Sequence, residues 1–184
     1  MDIIKKANNK DFYKFILNSF HNKTLKEFLP EIYLMNFYEQ TPIHHPEGNV
    51  FIHTIEALKY ANSDNYLINL AILFHDIGKP FCYKFQKDRH TYWNHDNVGV
   101  IVFENIIAKR FKLKKKEIEI ISYCIKNHMR FHDIHKMKLS KVKKFKQHKY
   151  FNFLKLLSKA DTFSRGYDLA INNWNEIIER IKKC

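Results

Sequence analysis

The chain has 184 residues, a formal net charge of +13, 45% hydrophobic residues and only four Gly and four Pro. That length buries a core without covalent staples, and so few turn-formers argue against a sandwich or barrel and for an all-α fold. Three widely spaced cysteines exclude a disulfide framework, no apolar run approaches the roughly 18 residues that span a bilayer, and the opening "MDIIKKANNKDFYKF" is not a signal peptide, so the expectation is a cytoplasmic protein, off the membrane, drawn to nucleotides or nucleic acid.

Phe12, Phe15, Ile16 and Phe20 fall at helical spacing. Thr24 with Glu27 three positions on predicts a capping box, and Pro30 divides the helix that follows. Residues 39–49 carry Pro42, Pro46 and Gly48 and read as a loop. A helix starts at Val50; Asp64 is expected to cap the next, which Gly78 and Pro80 end. In residues 81–93, Tyr83, Phe85, Tyr92 and Trp93 flank a polar centre, as in a short hairpin. Residues 94–110, 114–130, 150–163 and 167–182 read as helices, and 132–149 as a basic stretch with no assigned structure. The sum is seven or eight helices with one small hairpin near 83–93.

The stretch "AILFHDIGKPF" sets His75 and Asp76 against an apolar helix. His53 lies on the preceding helix, and the two helices are joined by a short turn near Ser63. About ten residues separate the turn from His53 and from His75, so at about 1.5 Å of rise per residue the two come level in an antiparallel pair. His95, His128 and Asp161 sit on three further helices, and a carboxylate among Leu154, Leu157 and Ala160 is costly to bury unless paired or metal-bound. Imidazoles and carboxylates together suit Mn, Fe, Co, Ni, Zn or Mg. Taken singly, each histidine is as compatible with a satisfied core or cap residue; the adjacent pair, with ligands spread over separate helices, favours a metal site.

The order His53, His75-Asp76, Asp161 resembles the HD superfamily of metal-dependent phosphohydrolases. "HHPEGNVFIHT", "LFHDIGKP", "NHDNVGV" and "NHMRFH" are similar to the HD region of bacterial CCA-adding tRNA nucleotidyltransferases and related poly(A) polymerases. The resemblance covers about residues 44–165, leaving residues 1–40 as a helical extension and 166–184 as a closing helix of one HD domain; no nucleotidyltransferase domain accompanies it. It implies that His53, His75, Asp76 and Asp161 bind a first divalent ion. His95 and His128 then complete a two-metal site or contact phosphate, Lys79 approaches the scissile phosphate, and Glu47 orders a water or a ligand histidine. Asn94 stands where Gly is usual, a departure that bears on the turn before His95.

The implied activity is metal-assisted phosphoester hydrolysis of the 2′,3′-cyclic phosphodiesterase, 2′-nucleotidase or phosphatase type, on phosphorylated nucleotides or RNA ends. Asp76 is assigned as ligand and proton acceptor, with Lys79 and Arg130 neutralising transition-state charge. A second reading keeps the site and changes the substrate to dNMPs, dNTPs, alarmones, cyclic dinucleotides or DNA. A third is an RNA-binding module with a structural metal, the basic run 132–149 contacting phosphates while Phe145 and Tyr150 stack on bases. Tyr92 and Trp93, beside His95, are read first as hairpin packing and second as a platform for a base.

Overall fold

The computed structural model describes residues 2–184, excepting the side chain of Leu169. The chain folds as an all-α protein with one antiparallel hairpin. In chain order the elements are α1 (Ile3–Ala7), α2 (Phe12–His21), α3 (Leu25–Phe28), α4 (Pro30–Leu34), α5 (Val50–Ala61), α6 (Tyr66–Phe74) and α7 (Lys79–Cys82). The hairpin β1 (Lys84–Gln86) and β2 (Arg89–Thr91) follows. Then come α8 (His95–Val102), α9 (Ala108–Arg110), α10 (Lys115–His132), α11 (Leu139–Lys146), α12 (Phe151–Phe163) and α13 (Tyr167–Lys182).

Helical segments outnumber the sequence expectation because α1, α3, α4, α7 and α9 are only three to five residues long. So short a turn carries no full amphipathic repeat and leaves no period to read. Pro30 divides α3 from α4 as expected and opens α4 at its first position. Two expected caps differ. Thr24 makes no side-chain cap and instead bonds Asn22 Oδ1, and Asn65, not Asp64, caps α6 by accepting from the N–H groups of Leu67 and Ile68. The expected helix 94–110 is interrupted by a π turn at Phe103–Ile107.

α6 is the axis of the bundle. Ile68 to Phe74 are all buried, and the helix packs against α1, α5, α10 and α12, which is why its sequence is apolar on every side. Asn69, a polar residue in that run, is satisfied: its Nδ2 donates to the carbonyls of Ala7 (2.7 Å) and Ser63 (2.8 Å), tying the first helix to the α5–α6 turn. Arg110 clasps Glu31 with two bonds of 2.6 and 2.7 Å, fixing α4 to α9. No helix among the described residues is long and apolar enough to cross a membrane.

Gly78 has another role than helix termination. Its φ of −79° is ordinary, but a Cβ there would lie 2.1 Å from His95 O and 2.5 Å from Gly99 N. The turn after Asp76 therefore rests directly on the backbone of α8, and only glycine permits it. In the basic stretch, α11 buries Val142 and Phe145 at i, i+3 spacing and leaves its lysines outside. Phe145 and Tyr150 are thus core residues, and Tyr150 Oη bonds Glu119; neither is free to stack on a base.

Candidate metal centre

Five elements converge on one buried point. α5 supplies His53, the end of α6 supplies His75 and Asp76, the start of α8 supplies His95, α10 supplies His128 and α12 supplies Asp161. All six side chains are buried. His53, His75 and Asp161 form one group whose ligand atoms lie within 4.8 Å of one another; Asp76, His95 and His128 form a second. Asp76 joins them. Its Oδ2 lies 3.2 Å from His75 Nε2 and 3.8 Å from His53 Nε2, while its Oδ1 lies 3.3 Å from His95 Nε2 and 3.6 Å from His128 Nε2. The level placement of His53 and His75 expected from helix rise holds, with ring centroids 5.4 Å apart.

The rings are oriented by their far nitrogens. Nδ1 of His75, His95 and His128 lies 2.7–2.8 Å from the carbonyls of Ile72, Tyr92 and Ile125, each three residues earlier. A carbonyl only accepts, so each Nδ1 carries the hydrogen and each Nε2 presents a lone pair to the centre. His53 Nδ1 donates to Glu47 Oε1 at 2.6 Å, which turns its Nε2 inward as well. His45 Nδ1 shares that carboxylate oxygen at 2.9 Å.

This arrangement fits a cation. Nε2 of His53, Nε2 of His75 and Oδ2 of Asp76 are buried with no hydrogen-bond partner among the described residues. Lys79 Nζ approaches that Oδ2 to 2.6 Å as an ion pair without hydrogen-bond geometry. Nε2 of His95 and Nε2 of His128 face each other at 3.1 Å, an opposition of two lone pairs that a cation relieves. Electrostatics agree. Burial alone would raise the Asp76 carboxyl, but His75, Lys79 and His128 hold it well below the usual carboxylate range. Burial opposes ionisation of Asp161 too, and His132 and His53 reverse it. His128 is pushed down to about 4 by burial and by its histidine neighbours, so it is a neutral donor at physiological pH. His53 differs: burial lowers it, but Asp161 and Glu47 outweigh it and the net shift is upward, so without an ion the carboxylates favour positive charge at the place a cation would take.

Of the other assigned residues, Lys79 is buried beside the cluster and donates to Gln40 Oε1 at 2.5 Å. Arg130 is not brought there. It is exposed on α10 and its guanidinium lies over the Phe145 ring at 4.6 Å, because the residue two positions after an inward-facing His128 points off the other side of the helix. Arg165, at the end of α12, lines the cavity above the cluster instead. Sequence reasoning also passed over His132. Its Nε2 meets Asp161 Oδ2 at 2.6 Å, and its spacing of four from His128, which puts both on one helix face, was the available signal. Ser164 Oγ, 3.1 Å from His53 Nδ1, left no such trace. Asn94 adopts a left-handed conformation with φ of +67°, one that asparagine tolerates almost as glycine does, so the departure at this turn is absorbed.

The chain matches the HD domain family model over residues 43–166. It is 31% identical over 130 residues to the multifunctional CCA protein of Acinetobacter baylyi, covering 70% of this chain and 30% of that protein. The proteins of the same name from Acinetobacter baumannii (28% over 116 residues, 62% of this chain and 27% of that one) and Pasteurella multocida (25% over 146 residues, 76% and 33%) are also similar. The chain spans about a third of the length of these relatives. With the family match covering most of its residues and the histidine–aspartate centre in place, the chain belongs to the HD domain family.

Proposed function

We propose that this chain is a metal-dependent phosphohydrolase acting on phosphorylated nucleotides or RNA ends, of the 2′,3′-cyclic phosphodiesterase, 2′-nucleotidase or phosphatase type. The observation that carries this reading is the convergence of four inward Nε2 lone pairs on the carboxylates of Asp76 and Asp161. The likeness to multifunctional CCA proteins supports a nucleotide or RNA substrate, and a net charge of +13 favours an anionic one.

His53, His75, Asp76 and Asp161 would hold one divalent ion, and His95 and His128 with the second oxygen of Asp76 a further one. A divalent ion bound there supplies an attacking water of lowered pKa and polarises a phosphoryl oxygen. The chain does the rest. Carbonyl bonds to three imidazoles and the Glu47 bond to His53 fix the donors before substrate arrives. Asp76 turns one oxygen toward His53 and His75 and the other toward His95 and His128, so we assign it first to holding the ion. That Lys79 and Arg165 both line the cavity supports them as the cations that balance phosphate charge, Arg165 in the role expected of Arg130.

Purified protein supplied with Mn, Ni or Co should release phosphate from 2′-phosphorylated nucleotides and open 2′,3′-cyclic ones. His75→Ala and Asp76→Ala should abolish both activities. Turnover that is absent with every ion, or unchanged in these variants, overturns the reading.

A further inference from the structure

Above the cluster lies a cavity of about 650 Å³, inside the range of about 300–1,000 Å³ typical of small-molecule sites. Its floor is the histidine–aspartate centre already described. Beyond the phosphate-balancing role proposed for Lys79 and Arg165, its walls have no assigned purpose. They include Gln40, Trp93, Arg165 and Asn173. Gln40 and Asn173 lie outside residues 43–166, which the family model matches.

Three of these side chains are oddly placed for structural roles. Trp93 is 85% exposed. The other hairpin aromatics pair among themselves, Tyr83 with Tyr92 at 5.7 Å and Phe85 with His90 at 5.1 Å, while the indole joins no aromatic pair among the described residues. Gln40 is only 3% exposed; its Oε1 accepts from Lys79, and its Nε2 is buried with no partner among the described residues. A buried amide N–H left unpaired at a cavity wall calls for an acceptor. Arg165 follows Asp161 by four residues, yet Asp161 Oδ2 is taken by His132 and its Oδ1 faces His53 Nε2 at 3.1 Å within the cluster.

We infer that the cavity takes a single nucleotide unit, its base stacked on Trp93 and its sugar-phosphate held by Gln40 Nε2 and Arg165. This rests on the phosphohydrolase reading and adds the substrate's shape to it. The aromatic face, the unpaired donor and the cation lie in one cavity with the proposed ion site, and a nucleotide has a matching part for each: a flat base, an acceptor-rich ribose phosphate and a negative charge. The base platform is sequence-tolerant, since every base has a π face.

The test is binding by the full chain, separate from turnover. Calorimetric titration compares adenosine 2′-monophosphate with ribose 5-phosphate, which lacks the base, and indole emission is followed in parallel. The nucleotide should bind about tenfold more tightly than the sugar phosphate, and Trp93→Ala should remove that advantage. Trp93→Phe should keep the advantage within about threefold while losing the emission change, because the remaining Trp174 is buried and does not line the cavity. Gln40→Ala should weaken both ligands alike. Equal affinity for the two ligands, or a Trp93→Ala protein that binds the nucleotide as well as the parent does, overturns the inference. Base-dependent binding that requires Trp93, in a protein that hydrolyses nothing with any ion, would sink the hydrolase and leave the nucleotide site standing.

Discussion

The floor and the rim of this cavity are built on opposite principles. The floor is buried, its imidazoles are locked by carbonyls three residues back, and its elements are pressed together as closely as Gly78 against His95. The rim is a hairpin of two three-residue strands with Lys87 and Asp88 both at positive φ in its two-residue turn, carrying Phe85 at 57% and Trp93 at 85% exposure. The contrast teaches where precision resides. Groups that must share an ion to within tenths of an ångström are positioned by the hydrophobic core. Groups that meet a ligand by surface contact are hung on a turn that the core does not need.

The sharpest way to break that contrast is Gly78→Ala. A methyl group 2.1 Å from a backbone carbonyl cannot be relieved by rotating a side chain, so the α6–α7 turn and α8 must separate. Asp76 sits on one side of that contact and His95 on the other, and their 3.3 Å approach should be lost with it. The expected cost is about 3 kcal/mol in urea unfolding. Calorimetry should show divalent-ion binding lost even where the protein remains folded. A stable Gly78→Ala protein with parental ion affinity would mean that the floor is not held by this contact.

Much of the floor was legible in the sequence, and the reason is physical. His53 and the His75-Asp76 pair interrupt apolar helices, and a polar residue at a core position needs a justification that can be sought from composition alone. The Pro30 division and the hairpin were equally plain. What depended on side-chain direction was not. Of Arg130 and His132, which both follow His128 on the same helix, His132 shares its face and Arg130 lies on the opposite side, a choice that turns on a rotation of 100° per residue that a motif match overlooks. Gln40 comes from the loop ahead of α5 and reaches the site only through the fold, and Ser164 and Arg165, just past the end of α12, depend on how that helix ends.

Next in size is Glu47. One of its oxygens, Oε1, accepts from both His53 and His45, and burial notwithstanding, those two histidines pull its carboxyl down to about 2, so it is a fixed anion behind the ligand. Glu47→Ala should weaken ion binding by about 10–100-fold, with Glu47→Gln in between because the amide oxygen still accepts from Nδ1. Unfolding by urea should move little. His132→Asn should act in the same direction but less, about tenfold, since Asp161 keeps its contact with His53 at 3.1 Å when the other oxygen is released. An effect of His132→Asn larger than that of Glu47→Ala would reverse the ranking and make α10, not the 39–49 loop, the principal support of the centre.

The smallest expected effect tests the rim. Trp93→Ala should change the unfolding free energy by less than about 0.5 kcal/mol, the range for surface positions away from packed features, although tryptophan is the largest side chain the protein could lose. The indole at 85% exposure forfeits almost no buried area on truncation, whereas Trp174, 8% exposed and stacked at 6.1 Å on Phe131, should cost about 3–5 kcal/mol when replaced by alanine. Parallel urea curves for the two variants decide the matter. A Trp93 variant that loses several kcal/mol would show that the hairpin is braced by its indole, and the separation of a rigid floor from a dispensable rim would fail.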